Sequence, residues 1–330
     1  MKGEPELKVV NLRKWFPVRR GIVSTLLSRK TEYVKAVDGV SFEVRKGEVF
    51  GLAGESGCGK TTTGKTVLRL LEPTSGEIYF EGRDITALNK AEMKQMRRKM
   101  QIIYQDPYQS LNPRMTVFDI LSEPIDVHKL SDSLAETEEI VHKSLEDVEL
   151  VPPEEFVYRF PHELSGGQRQ RVAVARTLIL QPSFIVADEP ISMLDVSIRA
   201  GILKVMLQTR EAQDVTYIFI THDLAYARHI CHRGAIMYLG KIVEMTSMDH
   251  LVEHPLHPYT IALMKAVPVP DPEYEKARAV IGGEVPTPIN PPPGCRFHPR
   301  CSKASDVCRT EEPELIEAGD GHFVACHHAL

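Results

Sequence analysis

The chain has 330 residues and a formal net charge of −5 at pH 7. This length can bury a full hydrophobic core and predicts two domains. The mild acidity argues against a nucleic-acid partner, because such partners are bound by basic surfaces. No apolar run approaches the length needed to cross a bilayer, and the first residues lack the apolar core of a signal peptide. We therefore expect a cytoplasmic chain that reaches a membrane only through a partner.

The first predicted elements are strands. Residues 7–12 alternate well enough between apolar and polar side chains to predict an edge strand, and the aromatic pair Trp15 and Phe16 follows it. Residues 19–35 are basic and show little periodicity, so we interpret them as a solvated loop or hairpin. A further strand is predicted over 37–44.

Residues 54–61 read Gly-Glu-Ser-Gly-Cys-Gly-Lys-Thr and fit the pattern of a phosphate-binding loop. A buried strand is predicted before the loop, at 49–53, and a helix after it, at 61–71; the alternative is a glycine-rich turn that precedes a helix by chance. Glycines let the backbone amides curl around phosphate oxygens at the positive end of the helix. Lys60 is expected to reach the β- and γ-phosphates and Thr61 to ligate Mg²⁺. The predicted nucleotide contacts in this loop are Gly54, Glu55, Ser56, Gly57, Cys58, Gly59, Lys60, Thr61 and Thr62.

Helices are predicted beyond the next strand. Residues 100–104 predict a strand with Gln105 at its end, and the pattern then becomes helical over about 107–165. Ser131 or Ser133 can cap one of these helices. The apolar residues at helical spacing on its expected buried face are Val141, Leu145 and Val148.

Uninterrupted apolar strands follow at 184–187 and 217–220, as expected where helices cover both faces of a parallel sheet. Strands alternating with helices around a phosphate loop predict an α/β fold with the ligand at the carboxyl ends of the strands. Asp188 and Glu189 come directly after the first of these strands. Asp188 is therefore placed to hold Mg²⁺, and Glu189 to orient or deprotonate an attacking water. The alternative is a pair of solvated loop acids.

A glycine-containing pentapeptide, Leu-Ser-Gly-Gly-Gln, occupies 164–168 and precedes a helical run at 169–180. Alone it predicts a turn and a helix cap. With the phosphate loop, it makes the chain resemble the ATP-binding cassette (ABC) family, whose signature is this pentapeptide. The resemblance covers about 7–251. The remaining family motifs follow in order as Gln105 of the Q-loop, Asp188-Glu189, the D-loop Ser192-Met193-Leu194-Asp195, and the switch histidine His222.

The resemblance implies a P-loop NTPase fold with a mixed sheet core, an antiparallel β subdomain and a helical subdomain. It also implies a second ATPase subunit, because in this family two domains meet head to tail and hold two ATP molecules between them. Glu189 would be the general base, His222 would position water and the γ-phosphate, and Gln105 would complete the Mg²⁺ shell. The residues that would contact ATP held by the opposite subunit are Ser165, Gly166, Gly167 and Gln168.

An aromatic ring is also expected to stack on adenine. Phe16 is the candidate and Trp15 its rival, and burial of either ring in the β core is the alternative. Met193 stands in the D-loop where the family more often has a small residue, which affects the expected packing across the dimer and leaves the chemistry unchanged.

Two further stretches resemble the ATPase subunits of oligopeptide and dipeptide importers, namely 106–113 and 254–260. The second of them leads into a proline-rich connector at 285–295. We place the ATPase domain at 1–265 and a small C-terminal extension at 266–330. This resemblance implies two membrane-spanning permease subunits, an extracytoplasmic substrate-binding protein as an indirect partner, and a peripheral location on the cytoplasmic face of the cell membrane.

The extension contains four of the six cysteines, and their spacing includes no Cys-x-x-Cys pair. Four thiolates suit either zinc or a [4Fe–4S] cluster by ligand count. The related importer ATPases imply the iron–sulfur cluster; zinc and free or paired thiols are the alternatives. Three nearby histidines, His298, His327 and His328, are interpreted as surface residues although they could substitute as ligands. The predicted cluster ligands are Cys295, Cys301, Cys308 and Cys326.

The sequence leaves several functions open. The cargo could be peptides, oligosaccharides or nickel chelates, and the second ATPase could be another copy or a related chain. A non-transport ABC ATPase, or an iron–sulfur-dependent regulatory ATPase, is the alternative class. Repair cassettes usually carry long coiled coils and ribosomal ones carry two cassettes, and this sequence shows neither pattern.

Overall fold

The computed structural model describes residues 4–18, 31–266, 286–319 and 321–329. These residues divide into two compact units. The first takes in the described parts of 1–45, 49–87 and 219–330, and the second takes in 46–48 and 88–218. Of the predicted loop at 19–35, residues 19–30 lie outside the described residues, as does the first residue of the predicted connector at 285–295.

A four-stranded antiparallel sheet in the first unit has the order β2-β1-β4-β5. Its strands are β1 (Leu7–Pro17), β2 (Tyr33–Val44), β4 (Ser75–Phe80) and β5 (Arg83–Asp84). A strand at 7–12 is confirmed, and Leu7, Val9 and Leu12 are buried. The prediction that it lies at an edge was wrong, because β1 pairs with β2 on one side and with β4 on the other. Both β1 and β2 extend beyond the predicted bounds because 13–17 pairs with 33–38. Residues 33–35 therefore belong to an antiparallel strand pair, which fits the hairpin interpretation and not the loop.

The other strands of the first unit lie in the order β11-β12-β10-β9-β3. The β3–β9 pair is parallel and the other pairs are antiparallel. Two strands of the C-terminal segment thus extend the sheet at the β10 edge, where Glu244 pairs with Val324. The strand bounds are β3 (Val49–Ala53), β9 (Arg233–Tyr238), β10 (Lys241–Ser247), β11 (Ile316–Gly319) and β12 (His322–Val324).

Short helices complete the first unit. Helix α1 (Lys60–Val67) ends before the predicted limit of 71, because Arg69 takes a left-handed φ of 49° and its guanidinium donates to the carbonyl oxygen of Ile85. The remaining helices of this unit are α7 (Leu224–Ile230), α8 (Met248–Glu253), α9 (Pro258–Ala266) and α10 (Asp306–Thr310).

Strands of the second unit form a parallel pair, β6 (Met100–Ile103) and β7 (Phe184–Asp188), with β8 beside β7. Strand β8 (Thr216–Thr221) begins in the second unit and ends in the first. Every residue of β7 and β8 is buried, which confirms the apolar strands predicted at 184–187 and 217–220.

Helices of the second unit are capped where the sequence offers hydroxyl or amide side chains. Ser133, not Ser131, caps the predicted helix and accepts from the N–H of Glu136. The expected buried face is confirmed, because Val141, Leu145 and Val148 are each 0% exposed. The helix bounds are α2 (Lys90–Lys99), α3 (Val117–His128), α4 (Leu134–Asp147), α5 (Gly166–Leu178) and α6 (Val196–Gln213). None of the helices in the described segments is both long and apolar enough to cross a bilayer.

Candidate nucleotide-binding site

The phosphate loop joins the fully buried β3 to α1 in the first unit. Gly54 and Gly59 have φ angles of 146° and 111°, which L-residues rarely adopt. A Cβ atom at Gly54 would lie 2.3 Å from the carbonyl oxygen of Met237, and one at Gly59 would lie 2.1 Å from that of Ala36. Glycine is therefore required at both positions by conformation and by space.

Lys60, the first residue of α1, is only 5% exposed. Its Nζ donates to the carbonyl oxygens of Gly54 at 2.7 Å and Glu55 at 3.0 Å, so the ammonium group lies over the loop itself. The neighbouring thiol of Cys58 is buried, and burial raises its pKa, so it is a neutral part of the loop. Thr61 lies in the first turn of α1.

Two other residues of the first unit contact the loop, and sequence analysis assigned a role to neither. The hydroxyl of Tyr259 accepts from the N–H of Glu55 at 2.8 Å. The guanidinium of Arg300 donates to both carboxylate oxygens of Glu55, at 2.8 and 3.1 Å. Tyr259 lies in the stretch that marked the importer resemblance, whereas no local pattern singles out Arg300, which is 245 positions away from Glu55.

His222, also in the first unit, is exposed and directly follows β8. The next residue, Asp223, caps α7 by accepting from the N–H groups of Ala225 and Tyr226. The imidazole is thus attached to a rigid strand end on one side and a capped helix on the other. Its predicted role stays a prediction.

The two aromatic candidates for adenine stacking are half-buried in β1, so neither belongs to the β core. The indole N–H of Trp15 donates to Asp38 at 3.1 Å, and the Lys35 ammonium lies 4.9 Å from the Trp15 ring centroid. The Lys14 ammonium lies 5.0 Å from the ring centroid of Phe16. Because the indole is held by Asp38, Phe16 stays the predicted stacking residue.

In the second unit, the structure brings together two predicted residues that are 84 positions apart. The side-chain amide of Gln105 donates to Glu189 at 3.0 Å. Glu189 takes a left-handed φ of 47°, a strained conformation for a residue with a side chain. Asp188, the last residue of β7, is 4% exposed. This strand end therefore carries a buried carboxylate beside a second carboxylate held by an amide.

The signature pentapeptide forms the start of α5 in the same unit. Ser165 is the N-cap and accepts from the N–H of Gln168 at 3.3 Å, while the Gln168 side chain accepts from the N–H of Ser165 at 2.9 Å. Gly167 is buried, and a Cβ atom there would lie 2.7 Å from Ile198 of α6. Gly166 is exposed and has nothing within 4 Å of its Cβ position. Ser165 and Gly166 are exposed, so the start of this helix can offer backbone amides to an anion.

The four late cysteines influence one another. Burial raises the pKa of Cys295 to about 11; a backbone hydrogen bond from Phe297 opposes this shift, and the nearby Cys308, Cys326 and Cys301 add to it. The N–H of Cys295 also donates to the carbonyl oxygen of Cys308 at 2.9 Å. Even so, across the described ranges no group of three or more His, Cys, Asp and Glu side chains is arranged to hold a metal ion. The cysteines are near neighbours without the geometry of a formed metal site.

The nearby histidines have other partners. A ring nitrogen of His298 forms a hydrogen bond of 2.9 Å with the carbonyl oxygen of Cys295. A ring nitrogen of His328 forms one of 2.8 Å with the hydroxyl of Ser305. A third joins His327 to the Glu311 carbonyl at 2.9 Å.

The glycine loop with its buried lysine, between a buried strand and a helix, is typical of a P-loop nucleotide-binding protein. The chain belongs to the ABC transporter family, whose model matches residues 37–192, and residues 243–308 match the C-terminal region of the oligopeptide/dipeptide transporters. The chain is therefore an ABC ATPase that binds and hydrolyses ATP, and the predicted α/β P-loop fold is confirmed.

Several known proteins are similar over most of the chain. The oligopeptide transport ATP-binding protein AppF of Bacillus subtilis is 47% identical over 98% of this chain and 97% of its own length. The probable peptide ABC transporter ATP-binding protein y4tS of Sinorhizobium fredii is 47% identical over 97% of this chain and 89% of its own. A dimeric structure of the ATP-binding cassette MJ0796 bound to ADP and Pi superposes with a TM-score of 0.64 at 28% identity, covering 73% of this chain and 98% of that chain.

Proposed function

We propose that this chain is the ATP-hydrolysing subunit of a peptide importer, in which ATP-driven dimerisation and hydrolysis drive uptake through separate membrane-spanning subunits. The match of residues 243–308 to the oligopeptide/dipeptide transporter C-terminal region carries the proposal. The names of the relatives, which are oligopeptide and peptide transport ATP-binding proteins, support it. The chain would then bind peripherally to the cytoplasmic face of the cell membrane.

The phosphate loop would hold the triphosphate. Its glycines allow backbone amides to approach phosphate oxygens, and Lys60, held over the loop by two carbonyls, can move to the β- and γ-phosphates when a nucleotide binds. Thr61 and the buried carboxylate of Asp188 supply oxygen ligands of the kind that Mg²⁺ prefers. When bound, the ion neutralises charge that develops on the phosphates.

Hydrolysis would depend on the end of β7. Glu189 accepts a proton from the attacking water, and the hydrogen bond from Gln105 fixes the direction of its carboxylate. His222 would position the water and the γ-phosphate. Phosphoryl transfer needs mainly positioning and charge stabilisation, which are roles that these side chains can fill without covalent chemistry.

A second ATPase subunit would complete the site. Ser165 and Gln168 are engaged with each other at the start of α5, so the amides of Gly166 and Gly167 are the groups offered to the γ-phosphate held by the partner. The dimeric structure of the similar cassette MJ0796 supports this arrangement. All motifs for both half-sites are intact, so either a second copy or a related chain can serve.

The proposal is tested by reconstituting the chain in lipid vesicles with its permease subunits and a substrate-binding protein. We expect peptide-loaded binding protein to stimulate ATP hydrolysis and peptide uptake. Stimulation by oligosaccharides or nickel chelates, with none by peptides, would overturn the peptide assignment. ATPase activity that no cargo alters in the assembled complex would instead favour a non-transport or regulatory ATPase.

We also propose that the four late cysteines hold a [4Fe–4S] cluster. The four cysteines fall within one short stretch of the chain, and the N–H of Cys295 donates to the carbonyl oxygen of Cys308; this supports the proposal, because four neighbouring thiols are the ligand set of such a cluster. The present arrangement does not form a metal site among the residues described, so side chains would have to move for all four thiols to reach one cluster. Anaerobic purification followed by iron and sulfide analysis tests the proposal. Stoichiometric zinc without iron would replace the cluster with zinc, and absence of both would reject a metal.

A further inference from the structure

Glu55, the second residue of the phosphate loop, is held through three different groups. Its carbonyl oxygen accepts from Lys60, and its N–H donates to the hydroxyl of Tyr259. Its carboxylate accepts two hydrogen bonds from the guanidinium of Arg300, at 2.8 and 3.1 Å. Two of these partners come from outside the loop, from α9 and from the cysteine-containing segment.

The Arg300–Glu55 ion pair is largely shielded from solvent, most of all on the arginine side. The Arg300 side chain is 5% exposed and that of Glu55 23%. A buried guanidinium is costly unless it is paired and hydrogen-bonded, and a two-point contact with a carboxylate satisfies it with fixed geometry. Arg300 Nη1 also lies 3.4 Å from the hydroxyl of Tyr238, a residue of β9. The pair therefore ties the phosphate loop to the C-terminal segment by directional contacts.

A cluster of buried aromatic rings packs beside the residues that make these contacts. Tyr238, Tyr259 and Phe297 are at most 3% exposed, and their ring centroids lie 4.7 to 5.3 Å apart. Phe297 belongs to the same segment as Arg300, which ends a short 3-10 helix at His298–Arg300. Packed aromatic rings leave little freedom to their polar ends. The Tyr259 hydroxyl and the Arg300 guanidinium, which contact Glu55, are therefore held in place by the packing of these rings.

We propose that Arg300 is a positioning residue of the ATP site, which acts through Glu55 and together with Tyr259 holds the phosphate loop in its binding conformation. A loop that contains three glycines at positive φ loses conformational entropy when it orders around a ligand. Contacts that order it beforehand improve nucleotide affinity. This inference rests on the proposed nucleotide site, and it gives the C-terminal segment a role in ATP binding that requires no metal.

The test compares variants of the full chain by titration with ADP and ATP and by steady-state hydrolysis. We expect Arg300→Met to weaken nucleotide binding about tenfold and to raise KM more than it lowers kcat. In a double-mutant cycle, Arg300→Met should add little to Glu55→Gln, because Arg300 acts on the phosphate loop through that carboxylate. Arg300→Lys, which keeps the charge without the planar fork, should restore only part of the affinity.

A matched control separates positioning from stability. Arg296 lies in the same segment and pairs with Asp38, with side-chain exposures of 7% and 9%. Its guanidinium is about as buried as that of Arg300, and its carboxylate partner is less exposed than Glu55. Arg296→Met should lower the midpoint of thermal unfolding about as much as Arg300→Met while keeping the affinity for ADP. An equal loss of affinity in both variants, or additive effects of Arg300→Met and Glu55→Gln, would overturn the proposal.

Lys60→Ala distinguishes failure of the inference from failure of the proposed site. If Lys60→Ala loses nucleotide binding and Arg300→Met binds normally, the positioning role is wrong and the site stands. If Lys60→Ala binds ADP and ATP as the unaltered chain does, the nucleotide site itself is misassigned.

Discussion

Gly59 closes the phosphate loop and allows a test of why the loop needs glycine. Its φ of 111° is strained for any residue with a Cβ atom, and the Cβ atom of an alanine would lie 2.1 Å from the Ala36 carbonyl oxygen. The backbone strain costs about 1–3 kcal/mol. Relief of the overlap requires backbone movement, which costs a further 1–3 kcal/mol or so. We expect Gly59→Ala to lower the free energy of unfolding by about 3 kcal/mol or more.

Gly57 provides the matched comparison, because it has a φ of 78° but no atom within 4 Å of its Cβ position. Gly57→Ala carries only the conformational cost, about 1–2 kcal/mol. Thermal and denaturant unfolding in the absence of nucleotide measures the stability loss of each variant. Contacts between the loop and a bound phosphate then make no contribution to the measured values. A difference of about 2 kcal/mol corresponds to some 4–8 °C in the unfolding midpoint. Equal losses in the two variants would refute the reasoning from crowding.

Three further predictions concern hydrolysis, the signature helix and pH. Glu189→Gln should keep ATP binding but hydrolyse ATP at least 100-fold more slowly, which is about the contribution of a general base. The variant should also accumulate an ATP-bound dimer, which size-exclusion chromatography detects. Hydrolysis at the normal rate would disprove the role of the carboxylate. Gly167→Val should disturb the packing of α5 on α6, where even a Cβ atom approaches Ile198 to 2.7 Å, and lower stability by about 1–3 kcal/mol, whereas Gly166→Ala should change unfolding little; similar losses in both would contradict the packing argument. Burial lowers the pKa of His257 to about 4 from an ordinary value of 6.5. Since the unfolded chain takes up the proton first, this residue stabilises the fold above pH 6.5 and loses that contribution, about 3 kcal/mol, as the pH falls towards 4; a His257→Asn variant with the same acid dependence of unfolding would show that other groups are responsible.

Local features of this protein were readable from the sequence because their physics is local. The glycine loop, the lysine that follows it and the buried strand before it lie within a few residues of one another, so their spacing alone predicts a phosphate site. Helical periodicity likewise predicted the buried face of α4. The errors occurred where a distant partner decided the outcome, as for β1, which was predicted to lie at an edge but pairs with both β2 and β4.

What the sequence determined by itself was the kind of chemistry: a phosphate-binding loop, an acidic strand end and a capped glycine-containing helix, each encoded in a short contiguous run. Only the tertiary structure decided which side chains meet across long separations. It brings Gln105 to Glu189, and it brings Tyr259 and Arg300 to Glu55 from 204 and 245 positions away. Such contacts leave no periodic trace, since a hydrogen bond or ion pair between distant segments depends on how the chain folds back and not on its neighbours in sequence.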